Sequence, residues 1–148
     1  MTVTNKLYSN IIELIAKQDF DWATDANIKC ALLHEDNNAG SPWDQADTVF
    51  GDVSAWQVTG TNYTAGGADM GAAGNSIDRS TITTQFKSTT DPEWASSTID
   101  ATHAVVYSDG ATKHLICMVD FGGEESSVDG TFKIEWAGGI VFTVAVGT

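Results

Sequence analysis

Positive charge is scarce in this chain: seven lysines and arginines stand against 20 aspartates and glutamates, giving a net charge of −13 at neutral pH. That imbalance repels phosphate backbones and anionic membrane surfaces over a Debye length, so neither nucleic acid nor membrane is an expected direct partner. Cysteine is nearly absent too. Cys30 and Cys117 lie 87 positions apart inside apolar runs, where each reads as a small hydrophobe, and the sequence leaves their pairing open. No Cys-x-x-Cys and no Cys/His cluster occurs, so no metal site and no cofactor are expected. No apolar run approaches the roughly 18 residues of a membrane helix. The N-terminus lacks a basic segment followed by an apolar stretch, and a soluble chain that is not exported is the expectation. Charged residues make up only 18%, while Gly, Ser and Thr are abundant, a balance that suits an all-β protein with long surface loops.

What is present fits one domain over residues 1–148. With 42% apolar residues the chain can bury about two-thirds of its unfolded surface. Leu7, Tyr8, Ile11, Ile12 and Ile15 recur at helical spacing and predict an amphipathic helix over about 5–17, capped by Thr4 or Asn5. Its stripe serves either as a lid on the β core or as a docking element for another subunit. A β domain is expected over about 27–148. Ile28, Cys30 and Leu32 alternate on one face of a strand, and Ser80–Lys87 places Ile82, Thr84 and Phe86 on one face of another.

The centre of the domain is the stretch from Asp91 to Gly123. It holds Trp94, a β-branched run ending in Tyr107, a turn at Ser108-Asp109-Gly110, and a run in which Leu115, Cys117, Val119 and Phe121 share a face. That pattern predicts a β-hairpin with a tight Asp-Gly connection. A second hairpin is expected further on. Val128, Phe132, Ile134 and Trp136 are expected on one face, interrupted by an Asp129-Gly130 turn, and Ile140–Val146 follows Gly138-Gly139. Six or seven strands then predict a mainly β fold, a single antiparallel sandwich or small barrel with the helix at its rim. The predicted core is Leu7, Ile11, Ile15, Ile28, Cys30, Trp94, Tyr107, Leu115, Val119 and Trp136.

Reactive patterns are thin. His34, His103 and His114 are the only histidines, and Ser108-Asp109 near His114 supplies triad residue types without an elbow motif. Glu124-Glu125 are adjacent carboxylates that point apart and cannot flank a sugar. Asp36, Asn38 and Asp47 faintly resemble a calcium loop, but Gly40 stands where a ligand is needed and the terminal Glu is absent. Gly66-Gly67 and the glycines at 71 and 74 lack the Lys-Ser/Thr of a phosphate loop. No catalytic residue and no enzymatic activity is expected. The candidate interface residues are Trp22, Trp43, Trp56, His103 and His114, of which Trp43 sits on a polar excursion from His34 to Phe50.

Several segments together carry a family likeness. "NKLY" followed by "DFDWATDANIKCALL" resembles the opening of a widespread family of small bacteriophage virion proteins, which read as a helix, a "DWdtDtIKvaLl" segment and a β domain. The likeness continues through residues 59–67, 91–107, 115–123 and 126–136, and then at Gly139-Ile140. His103 stands where relatives often carry a basic residue. The resemblance implies a structural module of the virion, made in the host cytoplasm, with the major capsid protein or other virion subunits as partners and a homo-oligomeric state. One placement is a capsid decoration (cement) protein that clamps neighbouring capsid subunits from outside. The alternative is a neck or tail subunit, an adaptor, ring or fibre-associated part. Exposed aromatics on a β-sandwich would also admit sugar binding.

Overall fold

The computed structural model describes residues 4–24, 27–71, 75–80 and 82–145. In chain order the elements are β1 (Thr4–Leu7), α1 (Ile11–Lys17), β2 (Ile28–Leu33), α2 (Phe50–Val53), β3 (Ala68–Asp69), β4 (Ser76–Arg79), β5 (Thr83–Lys87), β6 (Glu93–Ser108), β7 (Leu115–Lys133) and β8 (Ile140–Ala145). They form two antiparallel sheets. One has the order β1-β7-β6-β2-β3 and the other β4-β5-β8. Each sheet has two edge strands, so the described residues close no barrel. Gly74 and Val146 lie outside the described residues.

The long β6–β7 ribbon is the spine. Period-2 alternation, reset in β6 by a register shift between Ala101 and His103, sends Ile99, Ala101, Ala104 and Val106 of β6, and Cys117, Val119 and Phe121 of β7, into the main core with Ile28, Cys30 and Leu32 of β2. Phe86 of β5 and Phe142 of β8 stack at 4.2 Å and close that core from the second sheet. The opposite face of the ribbon is covered as well. Ala31, Leu33, Val105, Tyr107 and Met118 form a second core with Tyr8, Phe50 and Val53, roofed by the excursion between β2 and β3. Burial on both faces explains why β2 reads as an almost unbroken apolar run.

Of the expected core residues, Ile11, Ile28, Cys30, Trp94, Tyr107, Leu115, Val119 and Trp136 are buried. Leu7 is partly buried against the main core. Ile15 is not in the core: it is 38% exposed and Ile12 is 56% exposed. The cause is the helix start. Residues 4–7, read as the cap and first turn of the helix, instead pair with β7 in the register Thr4↔Asp120 to Leu7↔Cys117, so the helix begins at Ile11 and turns Ile11 and Leu14 inward. Asn10, rather than Thr4 or Asn5, is its N-cap. The helix ends at Gln18 in a left-handed conformation (φ 59°), with its N–H on the carbonyls of Leu14 and Ile15. Glycine adopts that conformation without the Cβ clash, so Gln18→Gly is expected to stabilise the fold by about 0.5–1 kcal/mol, read from urea denaturation midpoints.

Three hairpin expectations change. The central connection is not a tight Asp-Gly turn but the segment 109–114, clamped by Asp109, which holds Lys29 and Lys113 at 2.9 Å each. Both lysines keep the Asp109 carboxyl below the usual carboxylate range. Asp129-Gly130 is not a turn either. β7 runs through it to Lys133, and the positive φ of Asp129 (49°) falls where the register against β6 shifts, between Ser97↔Gly130 and Ile99↔Ser127. A bulge accommodates the same residue types that a turn would. The last strand, β8, then pairs with β5 rather than with the strand before it. Another register shift, between Val106 and Tyr107, puts Leu115 in the second core while Cys117 stays in the main one.

The two cysteines are free. Cys30 and Cys117 both stand opposite Val106, one on each side of β6, so two strand spacings of about 4.8 Å separate them, beyond disulfide reach. Burial pushes the Cys117 thiol up to about 12.

Candidate functional site

The expected interface residues separate into core and surface. Trp22 belongs to the core and not to an interface. It is 1% exposed, lies edge-to-face with Phe86 and Phe142, and donates from Nε1 to the Lys87 carbonyl at 2.7 Å. Trp43 and Trp56 are half-buried under the same excursion, packed on the second core. Trp43 has Tyr8 at 4.9 Å on its ring and the Lys6 Nζ 5.5 Å over it. His114 is half-buried, and its backbone braces the central connection, its carbonyl accepting from the Ser108 N–H at 2.9 Å.

His103, expected at an interface, is 8% exposed and forms the wall of a cleft of about 480 Å³ with Lys6, Glu35, Trp43, Thr102 and Asp120. Two features of the fold build this cleft. β1 lays Lys6 against Asp120 at 3.2 Å, and a register shift between Ala101 and His103 re-aims the side chains of β6 toward the excursion. The Thr102 Oγ1 accepts the Glu35 N–H at 3.0 Å and lies 2.8 Å from the His103 Nδ1. Which of the two atoms donates in that contact follows the tautomer of the imidazole. The His103 Nε2 faces the Asp120 Oδ1 at 3.8 Å, and that oxygen accepts the Gly122 N–H at 2.9 Å.

Hydroxyl, imidazole and carboxylate thus line up in the order of a triad, but the geometry does not make one. Thr102 is 4% exposed and its oxygen is already engaged, while 3.8 Å is too long for an orienting hydrogen bond. The cluster reads as a polar strut between β6, β7 and the excursion. The sequence offered Ser108, Asp109 and His114 as triad types, but Asp109 is spent on two lysines.

Burial holds the His103 pKa below its ordinary 6.5, with Asp120 and Glu35 opposing and Lys6 and His34 reinforcing that shift. The unfolded chain therefore binds more protons than the native one between the two pKa values. Stability contributed by neutral His103 is full above about pH 6.5 and is lost as pH falls through the folded-state value. Denaturation midpoints measured from pH 7.5 downward should fall more steeply for the native sequence than for His103→Gln. Parallel curves would show that His103 does not supply this slope.

Charge is distributed unevenly. All six lysines are in ion pairs: Lys6 with Asp120, Lys17 with Glu13, Lys29 and Lys113 with Asp109, Lys87 with Asp78, and Lys133 with Asp91 and Glu135. Among the described residues Arg79 alone of the basic residues has no such partner. Residues 34–69 contain no Lys or Arg at all, while Glu35, Asp36, Asp44, Asp47, Asp52 and Asp69 fall within them. Partial burial, helped by Asp44 and Asp52, raises the Asp47 carboxyl above its usual value. The excursion therefore carries one sign of formal side-chain charge. No group of three or more His, Cys, Asp or Glu is placed to hold a metal ion among the described residues. In particular, Asp36 sits in a short turn where its N–H bonds to the His34 Nδ1 at 3.2 Å, which shapes the turn rather than a calcium loop.

A second, less polar groove of about 680 Å³ runs beside the far half of β7, over Phe121, Phe132, Ile134 and Trp136, with Glu125 and Lys133 at its margin. No local pattern announces it, because it lies beyond Asp120, the last residue of β7 that pairs with β1 among the described residues. On its outer side β7 is paired only from Cys117 to Asp120, and no described strand continues that lane. Compared with known proteins, the chain matches no family model, no curated sequence and no solved structure.

Proposed function

We propose that this chain is a non-enzymatic structural protein of a bacteriophage virion, a decoration protein that stabilises the head through protein–protein contacts. The observation that carries the reading is what the family-like segments do. Trp22, Tyr63, Trp94, Tyr107 and Trp136 fall in those segments, and each has an architectural job. Tyr63 accepts the Leu32 N–H at 3.0 Å and packs 5.8 Å from Trp94. Tyr107 donates to the Gly66 carbonyl at 2.7 Å and stacks on Phe50. Trp136 donates from Nε1 to the Thr90 carbonyl at 3.1 Å. What the resemblance shares is thus a scaffold and not a reaction centre. We read that scaffold as a β-sandwich, the two sheets facing each other across Phe86 and Phe142.

On such a scaffold the acidic excursion is the face turned to the capsid, away from the genome, and many copies multiply a modest contact. A ring-forming neck or tail subunit is the second reading, favoured by free strand edges at both β4 and β7. Sugar binding is the third reading; it would rest on the half-buried Trp43 and Trp56, since Trp22 is core. The test uses particles of the phage that encodes the chain, made without it. They should release their genome at a lower temperature, and purified chain added back should bind and restore the native value. Equal stability with no rebinding would remove the decoration reading.

A further inference from the structure

The geometry points to a second copy of this chain as the occupant of the groove beside β7, entering with its β4 as an added strand. This deepens the proposed function, on which it rests for taking the chain as a repeated structural subunit. The groove side is an unpaired edge. Along residues 124–133 the outward N–H and C=O groups of β7 meet no strand among the described residues, and such an edge is a template for another strand. Beneath it lie Phe121, Phe132 and Trp136. Glu125 stands opposite Ala101, which is fully buried, so its side chain shares the inner face; it is half-buried and has no ion pair among the described residues.

The complementary feature is β4. It is the outer strand of the three-stranded sheet, and all four of its residues are exposed. Ile77 stands opposite Phe86 and so faces inward, yet it is 47% exposed, and no described strand continues the sheet beyond β4. Arg79 lies two residues on and shares that face. An apolar side chain and an unpaired cation at this spacing match an apolar floor with an unpaired carboxylate at its margin. In a chain of net charge −13, copies repel one another unless opposite charges meet locally. Arg79 is the one basic residue free to do so. β4 cannot fill the groove of its own chain, since its free edge faces away from β5 and β8. The contact joins two different patches, so its repetition gives a ring or a chain of copies.

Sedimentation of the purified full chain at increasing concentration tests this. Association should grow with concentration, and Arg79→Glu or Glu125→Arg should each weaken it by about tenfold or more. Mixing the two single variants should restore it, because each strand then meets a groove of opposite charge. Arg79 is exposed and Glu125 half-buried at the groove margin, so thermal unfolding of each variant, measured alongside, separates lost association from lost folding. A chain that stays monomeric, or association that neither reversal changes, overturns the inference. Either result leaves the decoration reading standing, since that is decided on particles.

Discussion

Trp22→Ala is expected to cost about 3–5 kcal/mol of folding stability, a large part of the 5–15 kcal/mol typical of a domain. Trp22 precedes β2 in the chain but packs against the other sheet, with Phe86 at 6.3 Å and Phe142 at 5.4 Å, and Phe20 at 6.2 Å on its own side. Its indole also satisfies the Lys87 carbonyl at the end of β5. Truncation therefore opens a cavity where the two sheets meet and leaves a backbone acceptor unpaired. Trp22→Phe retains most of the packing and loses the hydrogen bond, so it should cost distinctly less. Urea denaturation of the three proteins separates the two contributions. Near-equal stability of Trp22→Ala and the native chain would mean that this residue does not join the sheets.

Gly67→Ala is expected to be as damaging for a different reason. Gly67 has φ +83°, and a Cβ there would lie 2.0 Å from the Cys30 carbonyl oxygen and 2.6 Å from the Ala31 Cα. Both obstacles are backbone of β2, which is pinned between β6 and β3, so neither can yield cheaply. A loss of at least about 3 kcal/mol follows from the clash and the left-handed backbone together. The Tyr107 hydrogen bond to the neighbouring Gly66 should loosen with it. Gly51→Ala is the control. It lies in α2 with open space around its Cβ and should change stability by no more than about 1 kcal/mol. Equal effects at the two positions would contradict the close approach at Gly67.

The pattern of these residues shows what was legible in the sequence. Strict alternation read correctly which of Cys117, Val119 and Phe121 share a face, because the strand is regular there. It failed at Leu115, where one register shift moves a side chain to the other core. The N-terminal stripe was misread because residues 4–7 satisfy helical spacing and are also free to pair with a strand edge 114 positions away; the edge wins by supplying backbone partners. Asp129-Gly130 carries turn chemistry, yet a bulge uses the same positive φ. The cleft was less legible still. His103 stood out, but Asp120 comes to it through cross-strand register and Lys6 through the edge strand, neither visible as local spacing. The acidic character of residues 34–69 was in the sequence all along, whereas the freedom of Arg79 appears only once every lysine has found its acid.

Quantitative mass spectrometry of purified particles tests the central claim most directly, by the ratio of this chain to the major capsid protein. A decoration protein that clamps the whole shell predicts roughly one copy per capsid subunit, in keeping with symmetric, multivalent coverage. A count fitting a single neck or tail ring would contradict the decoration placement, and absence from the particles would contradict the virion reading itself.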